Sequence, residues 1–398
     1  MVKLMLDRLG SDHRRQPRET LHTPDEIECY HVNAQFSEDM GDIGVIRFGK
    51  ILHVLQYCVE AIWCRFRYGL EYFYYVPAPG KRAALYRDWI VMLMCRPFFK
   101  GFVYHWHAVG MGDWLHCEGN WFERWVTHRL LGHSALSLAL AVPGMRDALW
   151  FESKRVEIVP NGIPDPCPDF ERTVLPLRLA RTVARKKILA GESLTPGDRE
   201  RAGGDPEVFK VLYMAHCTRD KGIFDTLESV AIVNTGLLAS GSGLRIELSV
   251  GGAFMAENEK AEFNERITRD DLRSGIGEKS VVDYKGFISG EEKDRLLRES
   301  DCFCFPTYYS AEGQPVNLIE SMAFGLPVIT THWRAIPEQL PSEYPGFVPS
   351  RAPREIASVL QFFFTHNQAM ELREQFTSHF TDQRHIEIMR KALLGMVR

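Results

Sequence analysis

Two glutamates, Glu312 and Glu320, stand eight positions apart in the segment Ser310-Ala-Glu-Gly-Gln-Pro-Val-Asn-Leu-Ile-Glu-Ser-Met-Ala-Phe-Gly-Leu-Pro-Val-Ile-Thr330. Pro315 suits the first position of a helix, where its missing N–H is not needed. The spacing predicts a helix from Pro315 to about Phe324 that stops at Gly325. The N-terminus of such a helix offers free amides and a partial positive charge, which favour a phosphate. Glu312 falls in the loop just before it, where a carboxylate can accept hydroxyl protons. Glu320 falls on the helix, more than a turn further in. These residue types together suit an anionic sugar compound. A buried helix with two capping or solvated glutamates is the alternative.

A second constellation is Met214-Ala-His-Cys-Thr-Arg-Asp-Lys-Gly-Ile-Phe224. It reads as a strand end, a turn and a helix start, the place where α/β folds hold phosphates. Arg219 can grip a diphosphate through two parallel hydrogen bonds, and Lys221 adds a point charge. Each could equally be a solvated basic residue. Gly251-Gly252 follows another apolar run and would let the backbone approach a ligand, or form a plain turn. In Val103-Tyr-His-Trp-His-Ala-Val-Gly110 the side chains of His105 and His107 alternate onto one side of a strand, with Trp106 on the other. A zinc pair and a satisfied core histidine are both open readings, although no third ligand has clear spacing.

The Glu312 segment resembles the Glu-x7-Glu signature of the family 4 glycosyltransferases, and Ser-Met-Ala-Phe-Gly-Leu-Pro-Val is similar to the family's usual continuation. Pro160-Asn-Gly-Ile163 resembles the stretch that precedes the family's second domain, and His31-Val-Asn-Ala-Gln-Phe-Ser37 with Asp42-Ile-Gly44 one at the acceptor side. The resemblance implies a GT-B fold, with two Rossmann-like domains facing across a cleft and a final helix crossing back to the first. It implies a retaining, metal-independent transfer from a nucleotide diphosphate sugar, UDP- or GDP-linked, to a glycan or lipid-linked acceptor. No separate cofactor is needed. His107, Arg219, Lys221 and Glu312 would then be catalytic. Gly222, Phe287, Gly313, Gln314, Pro315 and Glu320 would hold the donor, with Phe287 beside the base unless it is a core aromatic. Asn33 and Ser37 would touch the acceptor or cap the helix expected near Asp42. A non-catalytic protein of the same fold, binding a nucleotide sugar or a partner enzyme, is the competing reading. A nicotinamide oxidoreductase is disfavoured, because no Gly-x-Gly-x-x-Gly follows a strand with an acidic residue about 20 positions on.

The elements that must position these residues alternate between strand-like and helix-like runs. Strands are expected at Ile27–Val32, Tyr72–Val76, Gly101–Trp106, Ala135–Leu140 and Arg155–Val159. Helices are expected at Asp42–Tyr68, Leu85–Cys95 and Trp121–Leu131. Further strands begin at Phe209, Leu244, Val281, Cys302 and Pro327, and Gln383–Val397 reads as a closing helix. The alternation implies mostly parallel sheets with helices on both faces. The domains divide as 1–168, with the first strand and its Gly-rich loop not evident; a polar interdomain segment at 169–207, with a helix near Leu177–Leu189; 208–378 for the nucleotide sugar; and 379–398 for the returning helix.

The 398 residues, 45% hydrophobic and 25% charged, suit two or three domains with real cores. A net charge of −4 argues against a general nucleic-acid binder. Nine scattered cysteines without a Cys-x-x-Cys pair argue against a disulfide scaffold and for the cytoplasm. No secretory pattern opens the chain, and no apolar run reaches the roughly 18 residues that span a bilayer. Between Arg47 and Arg129 eleven Arg/Lys face six Asp/Glu, interleaved with aromatics as in Trp63-Cys-Arg-Phe-Arg-Tyr68. Such a face suits peripheral contact with the inner surface of the cytoplasmic membrane, or is an ordinary solvated helix face.

Overall fold

A computed structural model of the chain describes Leu9 and residues 27–33, 48–273 and 280–396. Contacts divide it into two units. The first holds the chain up to Gly162, the loop Ser310–Gln314, and Asp382 onward; the second holds Ile163–Tyr309 and Pro315–Thr381.

In the first unit the order is α1 (Phe48–Tyr68), β1 (Tyr72–Tyr75), α2 (Arg82–Cys95), β2 (Gly101–Trp106), α3 (Met111–Glu118), α4 (Trp121–Leu131), β3 (Leu136–Ala139), α5 (Val142–Trp150) and β4 (Val156–Ile158). The four strands form a parallel sheet in the order β1-β2-β3-β4. Because side chains alternate along β2, the sheet builds two cores. Phe102, Tyr104 and Trp106 share one with Val54, Cys58 and Ala61 of α1 and Leu85, Met92 and Cys95 of α2. Val103, Leu136 and Leu138 share the other with Ile386, Met389 and Ala392 of the chain's last helix. The strand expected at Ile27–Val32 is reduced to a single bridging residue, Cys29. The helix expected from Asp42 is described from Phe48, and Ser37 and Asp42 to Gly44 lie outside the described residues. Helices α3 and α5 were not anticipated.

The second unit runs α6 (Phe170–Thr173), α7 (Leu175–Leu189), α8 (Pro196–Ala202), β5 (Val208–Met214), α9 (Ile223–Ala239), β6 (Arg245–Gly251), α10 (Glu257–Arg266), β7 (Val282–Gly286), α11 (Gly290–Glu299), β8 (Cys302–Phe305), α12 (Val316–Ala323), β9 (Val328–Thr331), β10 (Phe347–Val348), α13 (Pro353–Phe363) and α14 (Ala369–His379). The last helix, α15 (Asp382–Leu394), belongs to the first unit. The second sheet is parallel, in the order β10-β9-β8-β5-β6-β7. The chain therefore winds outward from β5 to β7 and then returns to the other side of β5 at β8.

The polar stretch 169–207 folds into α6, α7 and α8 within the second unit. Three of its arginines, Arg178, Arg181 and Arg185, are buried. Arg178 donates to the carbonyls of Leu297, Ser300 and Phe324, and Arg181 and Arg185 both reach the buried carboxylate of Asp301. Burial alone would raise the Asp301 carboxyl; Arg185 and Arg181 outweigh it and hold the group below its ordinary range.

Candidate functional site

In an open parallel sheet, ligands bind beyond the carboxyl ends of the strands where the winding reverses. Here that point lies between β5 and β8. The turn after β5 is Ala215–Gly222. The Lys221 ammonium lies 4.6 Å from the centre of the Tyr309 ring and 5.5 Å from that of Phe305, both just beyond or at the end of β8. Gly222 has φ +86, and a Cβ there would meet the Pro306 carbonyl oxygen at 2.6 Å, so only glycine lets the turn approach β8 and start α9. The backbone amide of Tyr308 donates to the Asp220 carbonyl at 2.7 Å, which ties the turn to the chain leaving β8.

Helix α12 starts at the same end of the sheet. Pro315 is its N-cap, in an extended conformation with φ −64 and ψ 124, rather than its first helical residue. The helix ends where expected, because Gly325 has φ +54 and a Cβ there would lie 2.6 Å from the Phe170 ring. The side-chain amide of Asn317 donates to the Met214 carbonyl at 2.9 Å, fastening the first turn of α12 to the end of β5. Glu320 is paired at 2.6 Å with Lys293 of α11, a partner the sequence did not single out.

Arg219 points elsewhere. Its guanidinium pairs with Glu262 of α10 and lies 4.5 Å from the centre of the Phe224 ring, while its backbone amide donates to Glu259 at 2.7 Å. Half of its side chain is exposed. The pair is of the weak surface kind, worth about 0–1 kcal/mol, so a diphosphate could displace Glu262 at small cost. The glycine pair at the end of β6 serves packing: a Cβ on Gly251 would sit 2.3 Å from the Ile288 side chain and one on Gly252 1.8 Å from the Ala215 carbonyl oxygen. Phe287 is 71% exposed, so it is not a core aromatic.

The other predicted residues lie in the first unit. The loop Ser310–Gln314 carries Glu312, which is buried. Gly313 packs against the backbone of His107, where a Cβ would meet the carbonyl oxygen at 2.2 Å. Gln314 is a clasp. Its Oε1 accepts from the Asn161 amide at 2.6 Å, its carbonyl accepts from Asn161 Nδ2 at 3.0 Å, and its Nε2 donates to the Leu140 carbonyl at 3.4 Å. The chain passes from this unit to the other between Gln314 and Pro315, so the glutamate signature is divided between them.

His107 belongs to a histidine cluster. The ring of His105 lies 4.2 Å from that of His107 and 6.4 Å from that of His385 on α15. Burial, reinforced by His385, pushes His107 down to about 4. Burial likewise lowers His105 and His385. His385 Nδ1 donates to the Pro160 carbonyl at 2.6 Å, and Tyr74 Oη meets His105 Nδ1 at 2.5 Å. At neutral pH His107 is therefore a neutral imidazole, able to hydrogen-bond a hydroxyl without carrying charge. Among the described residues no three His, Cys, Asp or Glu side chains are grouped to hold a metal. Tyr74 and His385 were missed in sequence because 31 or more positions separate each from His105.

Residues 197–380 match the family model described as glycosyl transferases group 1. Amylovoran biosynthesis glycosyltransferase AmsK of Erwinia amylovora is 27% identical over 208 residues, 48% of this chain and 47% of that protein. Putative colanic acid biosynthesis glycosyltransferase WcaL of Escherichia coli K12 is 35% identical over 88 residues, 21% of this chain and 22% of that protein. The chain thus spans about half, and about a fifth, of the length of these relatives. Among solved structures, Anabaena Alr3699/HepE in complex with UDP has a TM-score of 0.59 at 14% identity, covering 85% of this chain and 82% of that one. Sucrose-phosphate synthase of Thermosynechococcus elongatus has a TM-score of 0.59 at 15% identity, covering 98% and 88%. At these identities the structures show the fold, two parallel-sheet α/β units of the GT-B type.

Proposed function

We propose that this chain, whose residues 197–380 carry a domain of the glycosyl transferases group 1, moves a sugar from a nucleotide diphosphate donor to a glycan or lipid-linked acceptor, retaining the anomeric configuration. The observation that carries the reading is that Lys221 and the start of α12 both lie at the carboxyl end of the second sheet, where its winding reverses. A cation and free helix amides at that point suit a diphosphate. As the bond from the anomeric carbon to the phosphate oxygen breaks, negative charge grows on the departing diphosphate, and Lys221 and the α12 amides stabilise it. Arg219 joins them once phosphate has replaced Glu262. Glu320, steadied by Lys293, accepts from the ribose hydroxyls, and Phe287 lies beside the base. Glu312 orients the sugar hydroxyls and the neutral His107 hydrogen-bonds one of them, while Gly313, Gln314 and Pro315 set the path of the loop and Gly222 that of the phosphate turn. The acceptor hydroxyl attacks from the face the diphosphate leaves and gives its proton to the leaving phosphate.

The UDP complex of HepE supports a uridine donor over GDP, and the names of AmsK and WcaL support a polysaccharide product. The cations and amides can balance the diphosphate without a metal ion, so the transfer is expected to be insensitive to chelator, and a cytoplasmic enzyme is expected. The engaged Arg219 favours one competitor, a protein of this fold that binds a nucleotide sugar without turnover. Nucleotide binding with no transfer to any acceptor would select it. Replacing Glu312 by Gln tests the sugar-binding role. Loss of charge-assisted hydrogen bonds worth about 1.5–3 kcal/mol should lower transfer about 10- to 150-fold. Undiminished transfer by that variant would remove Glu312 from the mechanism.

A further inference from the structure

Helix α1 has two apolar faces. Val54, Cys58, Ala61 and Cys64 are buried, the first three in the core of the first unit. Leu52, Leu55, Val59, Trp63 and Phe66 form a second stripe, at spacings of three and four residues, and all are exposed, Phe66 by 68%. The stripe does not end with α1. Phe66 meets Phe98 edge-on, with ring centres 5.9 Å apart. Helix α2, which packs against both α1 and α4, adds the exposed Tyr86 and Leu93. On α4, Trp121 is 73% and Trp125 61% exposed, and with Arg124, Arg129 and Trp150 they line an open basin of about 440 Å³.

We infer that this face of the first unit lies on an anionic lipid surface, with α1 and α4 in the headgroup layer. Contiguous exposed apolar area on this scale marks an interaction site. Tryptophan beside arginine is the pairing suited to a membrane interface, where the ring enters the apolar boundary and the cation stays among phosphates. The sequence around the face carries eleven Arg/Lys against six Asp/Glu, and two of those acids, Asp88 and Glu123, are buried in pairs with Arg87 and Arg82. No helix among the described residues is long and apolar enough to cross a membrane, so the contact is peripheral.

Charge argues against a second copy of this chain as the occupant. A symmetric pairing of α1 with itself would offer Arg65 and Arg67 only Glu60, the one acid in that helix. The aliphatic Leu52, Leu55 and Val59 offer nothing to the hydroxyls of a soluble glycan. The inference does not depend on the transfer reading.

The test is co-sedimentation of the full chain with vesicles of phosphatidylcholine alone or with a minority of phosphatidylglycerol. Three double variants are compared: Trp63→Ser/Phe66→Ser, Trp121→Ser/Trp125→Ser, and the charge reversal Arg67→Glu/Arg129→Glu, which leaves both cores intact. Binding should require the anionic lipid, weaken with salt and fall about tenfold or more in each double variant. A cooperative melt with an unchanged midpoint, read by circular dichroism, reports that all three variants fold. Failure to bind anionic vesicles, or equal binding by all three variants, overturns the inference. So does a concentration-dependent dimer that the α1 variant abolishes, which would give the stripe to a second copy. None of these results bears on nucleotide binding, so the two proposals fail separately.

Discussion

Replacing Gly313 by Ala separates sugar positioning from nucleotide binding. The added Cβ would lie 2.2 Å from the His107 carbonyl oxygen, whereas ordinary contact begins at 3.4 Å, so loop and strand end must separate by 3.4 − 2.2 = 1.2 Å. The neighbour is backbone and cannot swing aside. The loop is also clasped next door, by the 2.6 and 3.0 Å hydrogen bonds between Asn161 and Gln314, so the shift either breaks these bonds or carries Glu312 with it. Overpacking of this kind costs about 1–3 kcal/mol of stability. A misplacement of about 1 Å in a reacting group lowers turnover roughly 10²-fold. Lys221, Glu320 and Lys293 belong to the other unit and should keep their nucleotide affinity. Calorimetric titration with UDP, beside a transfer assay with the matching sugar nucleotide, reads both effects on one preparation. Transfer within about threefold of the parent, in a variant that melts normally, would refute the positioning argument. Equal loss of UDP affinity and transfer would refute the division of labour.

Other consequences are equally direct. Asp301→Ala leaves Arg181 and Arg185 buried without their counter-charge and should cost about 3–5 kcal/mol in urea denaturation; a loss under about 1 kcal/mol would mean the pair is solvated. Lys293→Ala frees the Glu320 carboxylate from its 2.6 Å partner and should weaken UDP binding by about 0.5–1.5 kcal/mol, with unchanged affinity counting against the ribose role. The histidine cluster sets a pH dependence. Folding holds His107 at about 4, below its ordinary 6.5, so between those values the unfolded chain binds more protons than the folded one. The stability it contributes is full above pH 6.5 and lost as pH falls toward 4, at most on the order of 3 kcal/mol. His107→Gln should flatten that part of the stability profile, and an unaltered slope would contradict the assignment.

The sequence disclosed what is locally encoded. Helix α4 runs from Trp121 to Leu131, as its pattern suggested, because Asn120 and Glu123 form a reciprocal cap at its start. The end of α12 was legible in Gly325, and strands β2 and β8 in their apolar runs. What stayed hidden depends on distant partners. The stretch carrying Arg178, Arg181 and Arg185 read as a polar interdomain segment, yet these three donate to acceptors more than 100 positions away at Leu297, Ser300 and Asp301. His385 joins His105 only because α15 packs on the first sheet. Gly251-Gly252 was read as letting the backbone approach a ligand, or as a plain turn; what lies against Gly252 is the Ala215 carbonyl of the chain itself. Helices α3 and α5 carry Gly112, Pro143 and Gly144 near their starts, residues that weaken a helical pattern in sequence.

The central claim is that the second unit binds a nucleotide diphosphate sugar where β5 and β8 part. It is tested most directly by a thermal-shift titration of the whole chain with UDP, GDP, ADP and their common sugars, with and without a chelator. The account predicts that one nucleotide family, expected to be uridine, raises the melting temperature, that the shift survives the chelator, and that Lys221→Ala abolishes it. A cooperative melt that none of these ligands moves, or a shift retained in full by the Lys221 variant, would contradict it.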